Sequence, residues 1–468
     1  MTTTEPIGQA PGARLQASGA SDPVAEARSL PRLIRAPFFH TPSSPFADAR
    51  ALVCHEDGGL LVQNGLIVAS GGYADVRAEA PAGTVTTDWR GGVVLPGLVD
   101  THVHYPQLRI IGGLGRALLD WLEHVALPEE ARMADEAYAA DTARAFVGAL
   151  LSHGTTTAMV FGAHFGPATA SLFEAAADAG VRMASGLVVS DRRLRPELHQ
   201  TPHEAYRTST DLIRRFHGRG RLLYAVTPRF ALSASEAMLE VCQTLLGEHG
   251  GLRVQSHINE QAHEVAEVRR LFPWAKDYLE VYERYDLCGA RAVMAHNVHA
   301  SDAELERMAS ERTAVAHCPC SNAALGSGVF PLRRHLAAGV PCALGTDVGG
   351  GIGFGVLKEG LQAYLMQRVV PEGVDLTSAH LLYLATRAGA EAMGLAGETG
   401  DLRPGKSADF VYLKPPPGGP LAAVLGRAKS PGDVLAAIFT LAGAESVAEV
   451  QVEGDVVYRR PMRDAEGA

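Results

Sequence analysis

The chain has 468 residues, 47% of them hydrophobic and 20% charged, with a net charge of −10. That length holds a large core and a smaller second domain. The interspersed, net acidic charge argues against a nucleic-acid surface, and no apolar stretch reaches the roughly 20 residues that span a bilayer.

In chain order, residues 1–30 are rich in Ala, Gly, Thr and Pro. They lack a basic segment followed by an apolar one, and read as a disordered leader, not a secretory signal. Residues 31–92 carry strand-like runs around an Asn64-Gly65 turn. The run Val93-Val94-Leu95 passes through Pro96-Gly97 into Leu98-Val99-Asp100-Thr101-His102-Val103-His104 and reads as one strand. Seven further short apolar runs follow, at residues 155–161, 182–189, 222–227, 252–257, 292–296, 314–317 and 342–347. Amphipathic segments separate them, at 129–153, 168–179, 233–249 and 302–310, with Ser233 and Ser301 as helix caps. Residues 402–463 are again β-patterned, with a turn at Glu453-Gly454.

Strand and helix alternating eight times predicts an α/β fold with a parallel (β/α)8 barrel. The stretch from His102 to Asp347 is close to the ~250 residues typical of that barrel. The barrel is expected over 93–401, inserted into a small β-sandwich assembled from residues 31–92 and 402–468. Six cysteines are too few for a disulfide framework in a chain this long, which points to the reducing cytoplasm.

Polar residues recur where these strands end. His102 and His104 close the first; two residues apart on a strand, they share a face. Arg229 follows the fourth, His257 ends the fifth, His296 the sixth, His317 the seventh and Asp347 the eighth. The C-terminal strand ends are where such barrels carry their chemistry. His102, His104, His257 and Asp347 would make a nitrogen-rich set with one hard oxygen, which suits zinc, though iron(II) accepts the same donors. Glu260, three residues past His257, could move protons between a nucleophile and a substrate nitrogen. His296 could orient the nucleophile or polarise the substrate. Taken alone, each of these residues reads more readily as a structural polar group than as a ligand or proton carrier, and His164 and His317 are read as structural groups or as supports behind the site. The joint occurrence on strands one, five, six and eight is what favours chemistry.

From about residue 55 to 460 the chain resembles the amidohydrolase superfamily. The resemblance is carried by Pro96-Gly97-Leu98-Val99-Asp100-Thr101-His102-Val103-His104, by Gly345-Thr346-Asp347 and by the run Gly400 to Asp409. Within it the chain is similar to the guanine deaminase family, through His104-Tyr105-Pro106-Gln107, Leu127-Pro128-Glu129-Glu130, Thr227-Pro228-Arg229-Phe230, Ser321-Asn322 and Leu325-Gly326-Ser327-Gly328. The resemblance implies hydrolysis of guanine to xanthine and ammonia on one zinc held by His102, His104, His257 and Asp347. It implies Glu260 as proton shuttle, His296 beside the nucleophile, and Gln107, Arg229 and Phe230 around the purine. The first lysine of the chain is Lys276, past the fifth strand, so the carboxylated lysine of binuclear relatives has no counterpart. The resemblance also implies a cytoplasmic enzyme with a small-molecule substrate, no nucleic-acid or membrane partner, and a homodimer that residues 114–128 could help form.

The chain departs from the family in places. Around the shuttle it reads Asn259-Glu260-Gln261 where Ser-Glu-Asn is usual; Asn297 follows His296; and Cys320 replaces a commoner Thr or Asn. His299 adds an imidazole near the pocket mouth. A pterin, 8-oxoguanine or a triazine is therefore kept as an alternative substrate. A catalytically inert binding barrel, which would be expected to have lost ligands, is the reading from another class.

Overall fold

The computed structural model describes residues 28–461. The expected leader lies outside the described residues apart from 28–30, and so does the chain end from 462. Among the described residues no helix is long and apolar enough to cross a membrane.

The strands in chain order are β1 (Arg32–His40), β2 (Val53–Gln63), β3 (Leu66–Gly72), β4 (Val85–Asp88), β5 (Val93–Pro96), β6 (Leu98–His104), β7 (Thr155–Phe161), β8 (Arg182–Gly186), β9 (Val188–Val189), β10 (Leu222–Pro228), β11 (Arg253–Ile258), β12 (Ala292–His296), β13 (Ala314–His317), β14 (Cys342–Leu344), β15 (Phe410–Leu413), β16 (Val447–Val452) and β17 (Asp455–Arg459). They form two sheets. The first runs β17-β16-β15-β5-β1-β2-β3, with β4 beside β1, so both chain ends meet in it. Its small core contains Ile34, Phe38, Val94 and Phe410. The second runs β14-β13-β12-β11-β10-β8-β7-β6, all parallel, with β9 on β10, and curls into a nearly closed barrel. Every residue of β6, β7, β8, β11, β12, β13 and β14 is buried, as expected of strands covered on both faces.

The run from Val93 to His104 is two strands. Val93–Pro96 pairs antiparallel with β15 and touches β1, whereas Leu98–His104 enters the barrel beside β7. Gly97 is the joint, because its N–H bonds the Asp409 carbonyl and a β-carbon there would lie 2.0 Å from Thr156 Oγ1. Buried Asp409 in turn pairs with Arg221 just before β10, tying sheet to barrel.

Helices cover the barrel. Pro202–Phe216 starts at a Thr201/Glu204 capping box and buries Ala205, Ser209, Leu212, Ile213 and Phe216 at helical spacing. Ser301 caps Asp302–Glu311 as expected. The cap of Glu236–Glu248 is Ser235 instead of Ser233, because Ala231–Ser233 is spent on a 3-10 turn. The segment expected as one helix over 129–153 breaks at Asp135, whose side chain accepts from the Ala137 and Tyr138 N–H groups and starts a new helix, Glu136–Ser152.

Gly97→Ala should lower stability by roughly 1–3 kcal/mol, because the added methyl meets a buried threonine instead of open space. Thermal melting of the two proteins side by side checks this; an unchanged midpoint would show that Thr156 gives way.

Candidate metal centre

The closing seam of the barrel builds the site. No ladder joins β14 to β6. Instead the Asp347 N–H donates to the His102 carbonyl at 2.8 Å and the His104 N–H to the Val348 carbonyl at 2.9 Å. Buried Asp100 lies beneath: its Oδ1 accepts from the Thr346 N–H (3.0 Å) and the His102 N–H (3.2 Å), and its Oδ2 from Thr346 Oγ1 (2.5 Å). Gly345 is required there because a β-carbon would sit 2.8 Å from His102 Cβ.

This seam delivers His102, His104 and Asp347 to one point, and β11 delivers His257. The eighth strand ends at Leu344, so Asp347 follows it in a turn, at φ 48°. One donor atom from each of the four buried residues lies within 4.8 Å of all the others. His102 Nε2 and His104 Nε2 stand 3.1 and 3.2 Å from Asp347 Oδ1. His104 Nε2 is also 3.2 Å from both His102 Nε2 and His257 Nε2.

Protonation suits a cation here. Burial pushes His104 down to about 3, lowers His102, and holds His257 well below its ordinary range. Burial acts to raise the Asp347 carboxyl, but hydrogen bonds to His102 and His104 overcome it and hold the group well below its usual range. His257 Nδ1 donates to the Arg229 carbonyl at 2.5 Å, so its Nε2 presents a lone pair to the cluster. Three ring nitrogens kept neutral by burial and one carboxylate oxygen thus converge on a single point with a chemistry that transition metals bind. The donor set therefore fits a metal ion.

Glu260 and His296 stand beside the cluster. His296 Nε2 is 3.5 Å from Glu260 Oε2 and 3.8 Å from Asp347 Oδ2, while its Nδ1 meets Asn322 Oδ1 at 2.9 Å. Burial, then the nearby Asp347 charge, pushes the Glu260 carboxyl up to about 8, although Ser327 Oγ donates to it at 3.1 Å. A slot in front of these groups is lined by Gln107, Leu118, Trp121, Leu122, Arg229, Phe230 and Leu325 together with His104, His257, Glu260, His296 and Asp347.

The structure thus brings together His102, His104, His257, Asp347, Glu260, His296, Gln107, Arg229 and Phe230. His317 lies apart, stacked on Phe330 with ring centroids 4.4 Å away. His299 does not line the slot; its ring bonds the Ser327 carbonyl at 2.9 Å. Sequence reasoning missed Asp100, Ser327, Asn322 and Glu130. Glu130 accepts from Gln107 Nε2 at 2.7 Å and from Arg229 Nη1 at 2.8 Å. It sits in the quoted Leu127-Pro128-Glu129-Glu130 run, which was the only signal available for it.

The amidohydrolase family pattern matches residues 93–457. The chain is 56% identical to a probable guanine deaminase of Deinococcus radiodurans over 92% of this chain and 99% of that protein. It is 38% identical to the guanine deaminase of Escherichia coli K12, over 90% of this chain and 95% of that one. The crystal structure of guanine deaminase from Bradyrhizobium japonicum superposes with a TM-score of 0.88 at 34% identity, covering 92% of this chain and all of that one.

Asp100→Asn would keep one oxygen for the Thr346 and His102 N–H groups but set an amide donor where Oδ2 now accepts the Thr346 hydroxyl, and would remove the buried charge. Metal affinity should fall about 10- to 100-fold, which competition with a chromophoric chelator measures. Unchanged affinity would show that the backbone bonds of the seam suffice.

Proposed function

Because the chain belongs to the amidohydrolase family, and within it to the guanine deaminases, we propose that it hydrolyses guanine to xanthine and ammonia with one zinc ion per chain, held by His102, His104, His257 and Asp347. The observation that carries this reading is the slot itself, where the amide of Gln107 and the guanidinium of Arg229 face the same space as the four-donor cluster and Glu260. An amide and a planar fork of donors match a purine's lactam oxygen and ring nitrogens. Phe230, Trp121 and Leu118 supply apolar walls for a flat ring.

A bound zinc ion would supply a nucleophile at neutral pH by lowering the pKa of water. The other steps fall to side chains. Glu260, buried and holding its proton at neutral pH, is placed to protonate the ring nitrogen beside carbon 2. It takes up the proton that the attacking water gives up and passes it to the departing amine. A carbon–oxygen bond forms at carbon 2, the carbon–nitrogen bond to the amino group breaks, and ammonia leaves. His296, tethered by Asn322 and standing between Glu260 and Asp347 at 3.5 and 3.8 Å, steers the nucleophile.

The reading extends to a cytoplasmic homodimer in purine catabolism. All six cysteines are free, which suits a reducing compartment. Leu114, 65% exposed on the 114–128 arm, is an apolar contact point for a second copy.

Ammonia release should be measured for the zinc-loaded protein on guanine, 8-oxoguanine, isoxanthopterin, adenine, cytosine and melamine at equal concentration. Guanine is expected to lead in kcat/KM by orders of magnitude; a lead by another ring would move the assignment to that heterocycle. Glu260→Gln should keep its zinc and lose on the order of 10²- to 10⁴-fold in kcat. Full activity in that variant would remove Glu260 from the chemistry.

A further inference from the structure

Behind the slot, three polar side chains converge on one carboxylate. Glu130 is 2% exposed and is not among the groups that line the slot. Its Oε1 accepts from Gln107 Nε2 at 2.7 Å and from Arg229 Nη1 at 2.8 Å. Its Oε2 accepts from the same Nη1 at 2.9 Å and lies 3.5 Å from His164 Nδ1. On its other side, Gln107 Oε1 accepts the Gly349 N–H at 2.9 Å.

These contacts fix what each reading group has left to offer. A carboxylate accepts and a backbone N–H donates, so the Gln107 amide can sit in one sense only. It keeps one N–H and one lone pair for the slot, and Arg229 keeps Nη2 and Nε. The charges also close. Burial, with the Arg229 charge second, holds His164 well below its ordinary range and so neutral. Glu129, the neighbour in sequence, is turned away to Arg132 and Tyr138. The Glu130–Arg229 pair is thus a buried unit of zero net charge.

We propose that Glu130 is a positioning residue that makes the slot select a neutral lactam ring over an anionic one, by fixing the sense of the Gln107 amide and cancelling the charge of Arg229. The inference rests on the guanine deaminase reading above. It has a direct chemical use. Deamination replaces the amine by a second ring carbonyl, which makes xanthine a stronger acid than guanine. A slot without net charge at its reading end does not retain the product anion, whereas an uncancelled guanidinium in a desolvated site would hold it.

Zinc-loaded wild type and Glu130→Gln should be compared for guanine turnover and for urate binding by calorimetry, urate being a purine anion at neutral pH. The variant is expected to keep its zinc and to lose roughly ten- to hundredfold in kcat/KM for guanine, chiefly through KM. Urate is expected to bind about tenfold tighter, because Arg229 then carries an uncancelled charge. A merely structural Glu130 would weaken both ligands together, and that result overturns the proposal. If wild type does not turn over guanine, the functional reading fails, while urate binding still tests the charge argument. Should Glu130→Gln not fold, Glu130→Asp keeps the charge on a shorter reach; KM for guanine should then rise with urate no tighter. An unchanged KM, or tighter urate, in that variant overturns the proposal.

Discussion

Between β14 and β6, where the sheet has no strand ladder, the buried carboxylate of Asp100 takes its place by accepting from Thr346 and from the His102 backbone. Burial pushes this carboxyl up to about 6, against the opposing pull of the hydrogen bonds from Thr346 and His102, so ionising it is a cost that those contacts partly offset. The arrangement matters because the seam carries three of the four clustered donors. His102 and His104 stand on one side of it and Asp347 on the other, with backbone bonds crossing at 2.8 and 2.9 Å. Closing the barrel and assembling the cluster are therefore one event. A shift in strand register here would displace the donors by as much as it opened the barrel.

The rest of the site is arranged around buried charge. The histidines are kept neutral by desolvation, and Asp347 is the carboxylate among them. Glu260 is kept protonated by the same burial, so two carboxyl groups a short distance apart are pushed to opposite protonation states by their surroundings. Glu264 steadies Glu260 from behind. Its Oε2 accepts the Glu260 N–H at 3.0 Å, and its Oε1 accepts from Tyr278 at 2.6 Å. The carboxylate that caps the helix Ala262–Leu271 thus also fixes the backbone of Glu260. At the other end of the slot, Glu130 and Arg229 keep their charges paired and out of solvent.

The sequence made the barrel legible because parallel strands buried on both faces read as bare apolar runs, and polar residues at their ends stand out against them. His102, His104, His257, His296 and Asp347 could be placed that way with no knowledge of loops. What could not be read was anything fixed by contact between distant loops. Glu130 meets Arg229 99 residues away, and Ser327 meets Glu260 across 67. No periodicity links such pairs. The division of the Val93–His104 run was hidden for another reason. Both halves are apolar and extended, and only the crowding of Gly97 against Thr156 shows that the chain changes sheets there.

The departures from the family's usual residues around Glu260 belong to the same loop problem, and they are coupled. Asn259, His296 and Asn297 all take left-handed backbone, at φ 48°, 72° and 48°. Asparagine accepts that conformation more readily than most residues, so two of the three strained positions have a suitable occupant. Asn259 Nδ2 then donates to Asn297 Oδ1 at 3.1 Å and to Glu304 Oε1 at 3.0 Å. Asn297 Nδ2 donates to His335 Nε2, whose Nδ1 is engaged with the Pro331 carbonyl. The Asn259 carbonyl takes the His299 N–H, and the His299 ring holds the Ser327 carbonyl. Gln261 Nε2 holds the Leu325 carbonyl of the same loop at 2.8 Å. The two asparagines, Gln261 and His299 therefore form one scaffold around the loop whose Ser327 hydroxyl reaches Glu260. Changing one member alone would leave buried amide groups without partners.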